Sequence, residues 1–211
     1  MGNTLLPIFL KLENEPSLVI GGGSVAFQKI IQLLNSKSKI TVVSPVCNSD
    51  VWELIHKSKI KWIQKCYDLK FIDSAKVIIG ATSNKQVNRQ IFEDAQKLGI
   101  PVNIVDQPEL CSFYLGAVHS EGDIKVAVST NGKSPAVAKK IRNIIKKIIP
   151  KETASIVTEL GKIRKSLQSS VSTYTERKQI FESIIENQFN QHTGKVSLVG
   201  AGPGDPELIS I

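Results

Sequence analysis

Three consecutive glycines, Gly21, Gly22 and Gly23, follow an apolar run and lead directly into an amphipathic helical pattern. A strand that turns sharply into a helix through glycines is typical of a dinucleotide-binding turn. Gly21 would allow the tight turn, and Gly23 would let bare backbone approach a pyrophosphate. The helix N-terminus would offer that anion free N–H groups and about +0.5 of an elementary charge. The alternative interpretation is a glycine turn that binds no ligand.

Strand and helix patterns alternate over the first half of the chain. The predicted strands are 17–20, 39–44, 60–64, 75–80 and 101–105, and the predicted helices are 24–37, 50–57 and 85–98. Asp50 and Asn84 are expected to cap the second and third helices. The apolar segment 5–12 either pairs as a further strand or lies beside the sheet. This alternation predicts an α/β fold, a Rossmann-like parallel sheet with helices on both faces.

The pattern changes after Asp106. A short apolar piece at 111–118, a turn at 121–123 and an alternating segment at 124–130 predict a small antiparallel unit. Ser134 and Pro135 predict the start of a helix that ends near Ile149, and two further helices follow at about 152–168 and 174–188. We therefore predict domains at 1–115, 116–149 (a small α+β module) and 150–190 (a helical module). A strand and glycine loop at 194–211 indicate the truncated start of another domain.

The formal net charge is +8, and the basic excess lies after residue 132. These residues are either the solvated faces of helices or the binding surface of an acidic partner. A polyanionic small molecule would fit. Nucleic acid is not an expected partner, because no aromatic stacking set accompanies the basic residues.

Three cysteines, Cys47, Cys66 and Cys111, are widely spaced and include no CxxC pair. We expect them to be reduced and mostly buried. No apolar run approaches the ~20 residues that a membrane span needs. The N-terminal residues lack the features of a signal peptide, so we expect no membrane partner and a cytoplasmic location.

Ligands of an open parallel sheet bind outside the carboxyl ends of its strands. The second predicted strand ends in Ser44 rather than in the usual acidic residue, so backbone groups at Pro45 and Val46 would have to hold the ribose. No arginine replaces the acid, and nothing therefore favours NADP. Thr82 follows the fourth strand at the same expected edge.

Asp106 directly follows the fifth predicted strand, close to Asn103, and is the best candidate for general acid/base chemistry. Its alternative role is an Asx turn at a strand end. The loop that contains Ser129, Thr130, Lys133 and Ser134 could capture a carboxylate or phosphate, or it could simply cap the next helix. His119 is either a metal ligand or proton shuttle, or an exposed loop residue.

Six motifs stand in order along residues 5 to about 149. They are Leu6-Pro7-Ile8-Phe9, Val19-Ile20-Gly21-Gly22-Gly23-Ser24-Val25-Ala26 with Lys29, Thr41-Val42-Val43-Ser44-Pro45, Ala81-Thr82, Val102-Asn103-Ile104-Val105-Asp106, and Val126-Ala127-Val128-Ser129-Thr130-Asn131-Gly132-Lys133-Ser134-Pro135. Together they resemble the precorrin-2 dehydrogenase module of siroheme synthases. Residues 199–208 resemble the opening of the uroporphyrinogen-III methyltransferase domain that follows this module in multifunctional members.

This resemblance implies NAD-dependent oxidation of precorrin-2 to sirohydrochlorin, which in many members is followed by insertion of Fe²⁺ to give siroheme. It also implies a homodimer formed through residues 116–149, with the tetrapyrrole bound beside the NAD domain. By position, Ser24, Val25, Pro45 and Val46 would contact NAD. Asp106 would serve both oxidation and chelation, with transient contact to the metal. Gly116 and the stretch from His119 to Glu121 depart from the proline and arginine pair that relatives often carry.

These observations predict three groups of site residues. The cofactor group is Gly21, Gly22, Gly23, Ser24, Val25, Pro45, Val46 and Thr82; the substrate group is Asn103, Ser129, Thr130, Lys133 and Ser134; and the catalytic residue is Asp106. Two other functions stay open at this point. One is an NAD-binding regulatory module without catalysis, and the other is a chelatase that acts on sirohydrochlorin without oxidising its precursor.

Overall fold

The structure is a computed structural model, and it describes residues 4–190. Its strands are β1 (Pro16–Ile20), β2 (Lys39–Val43), β3 (Lys61–Ile63), β4 (Val77–Gly80), β5 (Val102–Ile104), β6 (Ala117–Glu121) and β7 (Ile124–Val128). Its helices are α1 (Ser24–Leu34), α2 (Ser49–Lys57), α3 (Lys85–Lys97), α4 (Pro135–Ile148), α5 (Thr153–Ser170) and α6 (Tyr174–Asn190). The further domain predicted at 194–211 lies outside the described residues.

The first five strands form one parallel sheet in the order β3-β2-β1-β4-β5. β1 is central and pairs with β2 on one side and β4 on the other. The chain therefore reverses its direction of travel across the sheet at β1, and this switch point is where α/β sheets bind ligands. The predicted Rossmann-like fold is confirmed.

Side chains alternate along each strand, so β1 sends side chains to both faces of the sheet. Helices cover both of these faces. On one face, Val19 of β1 packs with Ala26, Ile30 and Leu33 of α1. On the other face, β1 residues Leu18 and Ile20 belong to a second cluster that contains residues of α3. The sheet is thus buried between two helical layers, and this burial holds the carboxyl ends of the strands in one rigid edge.

The described residues fall into two compact units, one of 4–117 with 128–141 and the other of 118–127 with 142–190. In the second unit, β6 and β7 pair as a hairpin around the turn at Gly122, which has a φ of +55°. A side chain at this glycine would meet the Cβ of Ala154 at 2.8 Å. The sequence-based domain limits and the roles of the later modules stay predictions.

Several local expectations need correction. Helix α2 is capped by Asn48 rather than Asp50, because the Asn48 side chain accepts the Val51 N–H at 2.9 Å. Asp50 instead lies in the first helical turn, where a negative charge is favourable. Residues 5–12 form no strand: Leu12 packs into the core, while Ile8 and Phe9 stay exposed.

The cysteines are free, but the expectation that they are mostly buried is wrong. Cys66 is exposed, and Cys47 and Cys111 are half-buried. In the described part of the chain, no helix is both long enough and apolar enough to cross a membrane.

Candidate cofactor cleft and acid/base site

A cleft of about 780 Å³ opens at the carboxyl edge of the sheet. All eight residues that were predicted to hold the cofactor line it, and so does the predicted catalytic residue. These are Gly21, Gly22, Gly23, Ser24, Val25, Pro45, Val46, Thr82 and Asp106. Among the described residues that line the cleft, Asp106 is the only carboxylate and there is no lysine, arginine or histidine.

The glycine turn has little room for side chains at its first two positions. Gly21 has a φ of +123°, and a Cβ there would lie 2.3 Å from the carbonyl oxygen of Ala81. A Cβ at Gly22 would lie 2.3 Å from the carbonyl oxygen of Val46. Gly23 differs, because nothing lies within 4 Å of its Cβ position. The first two glycines therefore let neighbouring chain segments pack closely, and the third leaves open space at the start of α1.

Helix α1 begins at this turn without a side-chain cap. Gly23 occupies the N-cap position and supplies no side-chain hydrogen bond. By contrast, Asn48 at the N-cap of α2 accepts one backbone N–H, and Asn84 at the N-cap of α3 accepts two. The first N–H groups of a helix have no partner within the helix. At α1 no side chain caps them in the described structure, and the adjoining Ser24 and Val25 line the cleft. This arrangement fits the pyrophosphate of a dinucleotide.

The end of β2 is held by polar contacts of Ser44. Its buried hydroxyl donates to the carbonyl oxygen of Val46 at 2.6 Å, and its own carbonyl accepts the Trp62 indole N–H at 3.0 Å. The Ser44 side chain is therefore engaged in shaping the segment that presents Pro45 and Val46 to the cleft. Binding of the ribose by backbone groups at Pro45 and Val46 stays a prediction.

Thr82 belongs to a small hydrogen-bond network beyond β4. Its hydroxyl donates to the side-chain oxygen of Asn88 at 2.7 Å, and the Asn88 amide donates to the Thr82 carbonyl at 3.1 Å. Asn88 is buried in α3, and the sequence analysis missed it. The sequence could have indicated Asn88, because it lies in the first turn of α3, the helix that follows β4 and its carboxyl end at the cleft.

Cys66 and Tyr67 also line the cleft, and the sequence analysis did not assign them to it. They follow β3, so the rule that strand ends meet at one edge could have found them. The Tyr67 hydroxyl donates to the buried Asp94 carboxylate at 3.1 Å. Burial, with the negative charge of Asp94 as a smaller cause, raises the pKa of Tyr67, so this side chain remains a neutral phenol.

Asp106 is exposed at the cleft and has a left-handed backbone, with a φ of +60°. Aspartate and asparagine tolerate this conformation better than most residues. An Asx turn would need an N–H group two residues later, and that residue is Pro108, which has none. No hydrogen bond to its carboxylate is found within residues 4–190. The structure therefore favours an available carboxylate over the Asx-turn alternative.

The five predicted substrate residues do not line this cleft in the described structure. Asn103 is buried, and its amide donates to the Phe113 carbonyl at 2.8 Å. Thr130 and Ser134 bond to each other, since the Thr130 hydroxyl accepts the Ser134 N–H at 3.1 Å and donates to its carbonyl at 3.0 Å. The Ser134 hydroxyl also accepts the Val137 N–H at 3.3 Å, which confirms the predicted helix cap.

Ser129 and Lys133 complete this loop. The Ser129 hydroxyl accepts the N–H of Asn131 at 3.2 Å, and Lys133 is exposed. Binding of substrate by the five residues stays a prediction.

His119 is not the exposed loop residue that the sequence favoured. It lies in β6 and is buried, with 7% of its surface exposed. Its Nε2 has no hydrogen-bond partner in the part of the chain that is described. Across that same part, no group of three or more His, Cys, Asp or Glu side chains is arranged to hold a metal ion.

Known protein families match the part of the chain that forms this cleft. Residues 8–117 match a family model described as "Putative NAD(P)-binding", and residues 121–148 match one described as "Sirohaem biosynthesis protein central". The chain belongs to this NAD(P)-binding family of sirohaem biosynthesis proteins. The first family match covers every residue that lines the cleft.

Individual members of the family are also similar to this chain. A siroheme synthase of Psychrobacter sp. strain PRwf-1 is 30% identical over 97% of this chain and 50% of its own length. One of Methylobacillus flagellatus is 31% identical over 97% of this chain and 49% of its own length. The chain thus spans about half the length of the curated relatives that it matches.

A solved structure confirms the fold. The protein titled "SirC, precorrin-2 dehydrogenase" superposes with a TM-score of 0.72 at 22% identity, covering 90% of this chain and 94% of that one. The shared fold therefore extends beyond the parallel sheet.

Proposed function

We propose that the chain is an NAD-dependent dehydrogenase that oxidises precorrin-2 to sirohydrochlorin in siroheme biosynthesis. One observation carries the proposal: the uncapped glycine turn and the carboxylate of Asp106 line the same cleft. The first of these features suits a dinucleotide and the second suits proton transfer. The relatives named siroheme synthase and the fold shared with a precorrin-2 dehydrogenase support the choice of substrate.

The residues of the cleft have different proposed roles, according to their chemical groups. N–H groups at the start of α1 would hold the pyrophosphate, and backbone groups at Pro45 and Val46 would hold the ribose. NAD⁺, when bound, supplies the acceptor for a hydride. Asp106 would accept the proton that the macrocycle loses with that hydride, so that two electrons and two hydrogens leave precorrin-2. The exposed position of Asp106 gives a large substrate access to the carboxylate.

The deciding experiment mixes the purified protein with precorrin-2 and NAD⁺ and follows NADH absorbance. Asp106→Asn removes the base but suits the left-handed backbone, so it should fold normally. We expect it to lower kcat by about 10²- to 10⁴-fold, the usual contribution of a positioned acid or base, with NAD affinity nearly unchanged. Undiminished turnover in this variant would show that Asp106 has no such role.

The same experiment separates the competing functions. NAD binding without NADH formation by the wild-type protein would identify a regulatory module. Metal insertion into sirohydrochlorin without NAD would identify a chelatase. Fe²⁺ is then a substrate, and Asp106, the only carboxylate among the described residues of the cleft, is the proposed transient contact for it.

We further propose that the protein is a homodimer that acts in the cytoplasm on its tetrapyrrole substrate. Helix α4 supports a dimer because it presents a row of exposed apolar side chains, namely Val137, Ile141, Ile144 and Ile148. In the described structure, β6 and β7 pair only with each other, and each leaves an open edge. Three free cysteines suit a reducing compartment.

A further inference from the structure

Within the unit that contains the parallel sheet, a hydrogen bond ties the segment after β3 to helix α3. The Tyr67 hydroxyl donates to Asp94 Oδ2 at 3.1 Å, and the Lys97 ammonium donates to Asp94 Oδ1 at 3.4 Å. Asp94 lies on α3 and is only 6% exposed. A carboxylate is seldom buried to this extent unless it is paired, and here both of its oxygens have a partner. The buried carboxylate therefore fixes Tyr67 against α3.

Packing adds to this hydrogen bond in holding Tyr67. The residue packs on the hydrophobic cluster that contains Leu18 and Ile20 of β1 and Ile91 of α3. Burial raises the pKa of Tyr67, so the hydroxyl keeps the proton that it donates to Asp94. Tyr67 nevertheless lines the cleft. The fold thus brings to the cleft an aromatic residue that is already ordered, which lowers the entropic cost of binding a flat ring there.

The order of the strands assigns Tyr67 to one half of a bound dinucleotide. At the carboxyl edge of the sheet, the glycine turn follows the central strand β1, Tyr67 comes after the edge strand β3, and Asp106 comes after the opposite edge strand β5. With the pyrophosphate on the glycine turn, the two nucleosides extend from it in opposite directions. The nicotinamide lies on the β5 side in the proposed reaction, because Asp106 accepts the proton that leaves with the hydride. The adenosine half therefore extends towards β3 and Tyr67.

We propose that Tyr67 binds the adenosine half of the dinucleotide, and that Asp94 is a positioning residue that holds Tyr67 at the cleft through the hydrogen bond to its hydroxyl. An aromatic side chain can stack on any base, because every base has a π-face. Asp94 does not line the cleft in the described structure, so it would act on the cofactor only through Tyr67. The choice of the adenosine half rests on the proposed function, which takes the nicotinamide to lie beside Asp106.

The first test locates the adenosine half without any reaction. Cys66 precedes Tyr67, is exposed and lines the cleft, so iodoacetamide should alkylate its thiol. ADP-ribose contains the adenosine and the pyrophosphate but no nicotinamide, and at saturation in calorimetry it should slow this alkylation severalfold. Nicotinamide mononucleotide should not, and mass spectrometry measures both rates. An unchanged rate with saturating ADP-ribose, or protection by nicotinamide mononucleotide alone, would overturn the assignment.

The second test measures what the ring and its hydrogen bond contribute. Tyr67→Leu removes the ring, and we expect the Kd of ADP-ribose and the KM for NAD⁺ to rise about tenfold, with kcat at saturating NAD⁺ unchanged. Asp94→Ala removes the acceptor and should raise the same two constants about threefold. Asp94→Asn keeps an oxygen that can accept the Tyr67 proton and should restore most of the affinity. Tyr174→Leu, at a position that is 74% exposed, is the matched control and should bind like the wild type.

The outcomes of the two tests separate the claims. A wild-type protein that makes no NADH, yet is protected at Cys66 by ADP-ribose, would contradict the proposed oxidation and leave the assignment of Tyr67 intact. A protein that makes NADH but is not protected would do the reverse. Wild-type affinity in Asp94→Ala would overturn the positioning role. If Tyr67→Leu failed to fold, Tyr67→Phe, which loses only the hydrogen bond to Asp94, should match Asp94→Ala in both constants, and wild-type values would count against the proposal.

Discussion

At the scale of single residues, the three glycines of the turn differ in what surrounds them. Gly21 and Gly22 lie against the backbone of neighbouring segments, where a Cβ would approach a carbonyl oxygen to 2.3 Å in each case. Gly23 faces open space at the start of α1. The first two positions therefore concern folding, and the third concerns what can approach the helix N-terminus.

We therefore expect Gly22→Ala to reduce mainly stability and Gly23→Ala to reduce mainly NAD affinity. Gly22→Ala should lower the free energy of unfolding by about 3 kcal/mol, the upper end of the usual cost of overpacking, because its methyl group meets rigid backbone. Gly23→Ala should cost only about 1 kcal/mol, through its weaker N-cap, and yet reduce NAD affinity clearly. Urea unfolding and NAD titration of both variants make the comparison. Equal stability losses would contradict the assignment.

At the scale of elements, the helices on the sheet differ in how they begin. Asn84 caps α3 by accepting the N–H groups of Gln86 and Val87 at 2.9 and 3.2 Å. Asn48 serves α2 in the same way. Helix α1 has no such side chain. A side chain thus accepts some of the first N–H groups in two of these helices, and at α1 those groups are the proposed pyrophosphate site.

Asn84→Ala should destabilise the protein by about 1 kcal/mol, the usual cost of losing an N-cap. Asn84→Asp should recover the loss, because its carboxylate can accept the same two N–H groups. The midpoint of urea unfolding measures both variants. A midpoint for Asn84→Ala equal to that of the wild type would show that the cap contributes nothing here.

At the scale of the whole molecule, the exposed apolar row on α4 calls for a partner surface. Ile144 lies in the middle of this row and is 50% exposed. An aliphatic side chain contributes about 1.5–3 kcal/mol when it is fully buried. In the proposed homodimer, a second copy of the chain would cover this row and remove its apolar side chains from water.

Ile144→Glu should weaken the dimer by about tenfold to a hundredfold in Kd, because a buried aliphatic contact is replaced by a charge. Lys146→Glu changes a charge on the opposite side of α4 and is the matched control. Sedimentation velocity over a range of protein concentrations measures both. A wild-type protein that stays monomeric at all concentrations would contradict the proposed assembly.

Local patterns alone were sufficient for the α/β alternation, the glycine turn and the place of the predicted cofactor residues at the cleft, because each depends on neighbouring residues and on the rule that parallel strands end at one edge. The place of Asp106 at the cleft followed from the same rule, and its role stays a prediction. Asn88 was not found this way, and the burial of His119 was not predicted, because both depend on contacts with distant segments.

The contacts of Asn88 with Thr82 and the burial of His119 became visible once α3 and β6 were packed, since such surroundings come from segments far apart in the chain. The loop from Ser129 to Ser134 shows the same limit, because its polar side chains suggest a ligand while its folded hydrogen bonds are mostly internal. Periodicity and turn chemistry are short-range properties, whereas the environment of a charge or a hydroxyl is set by packing.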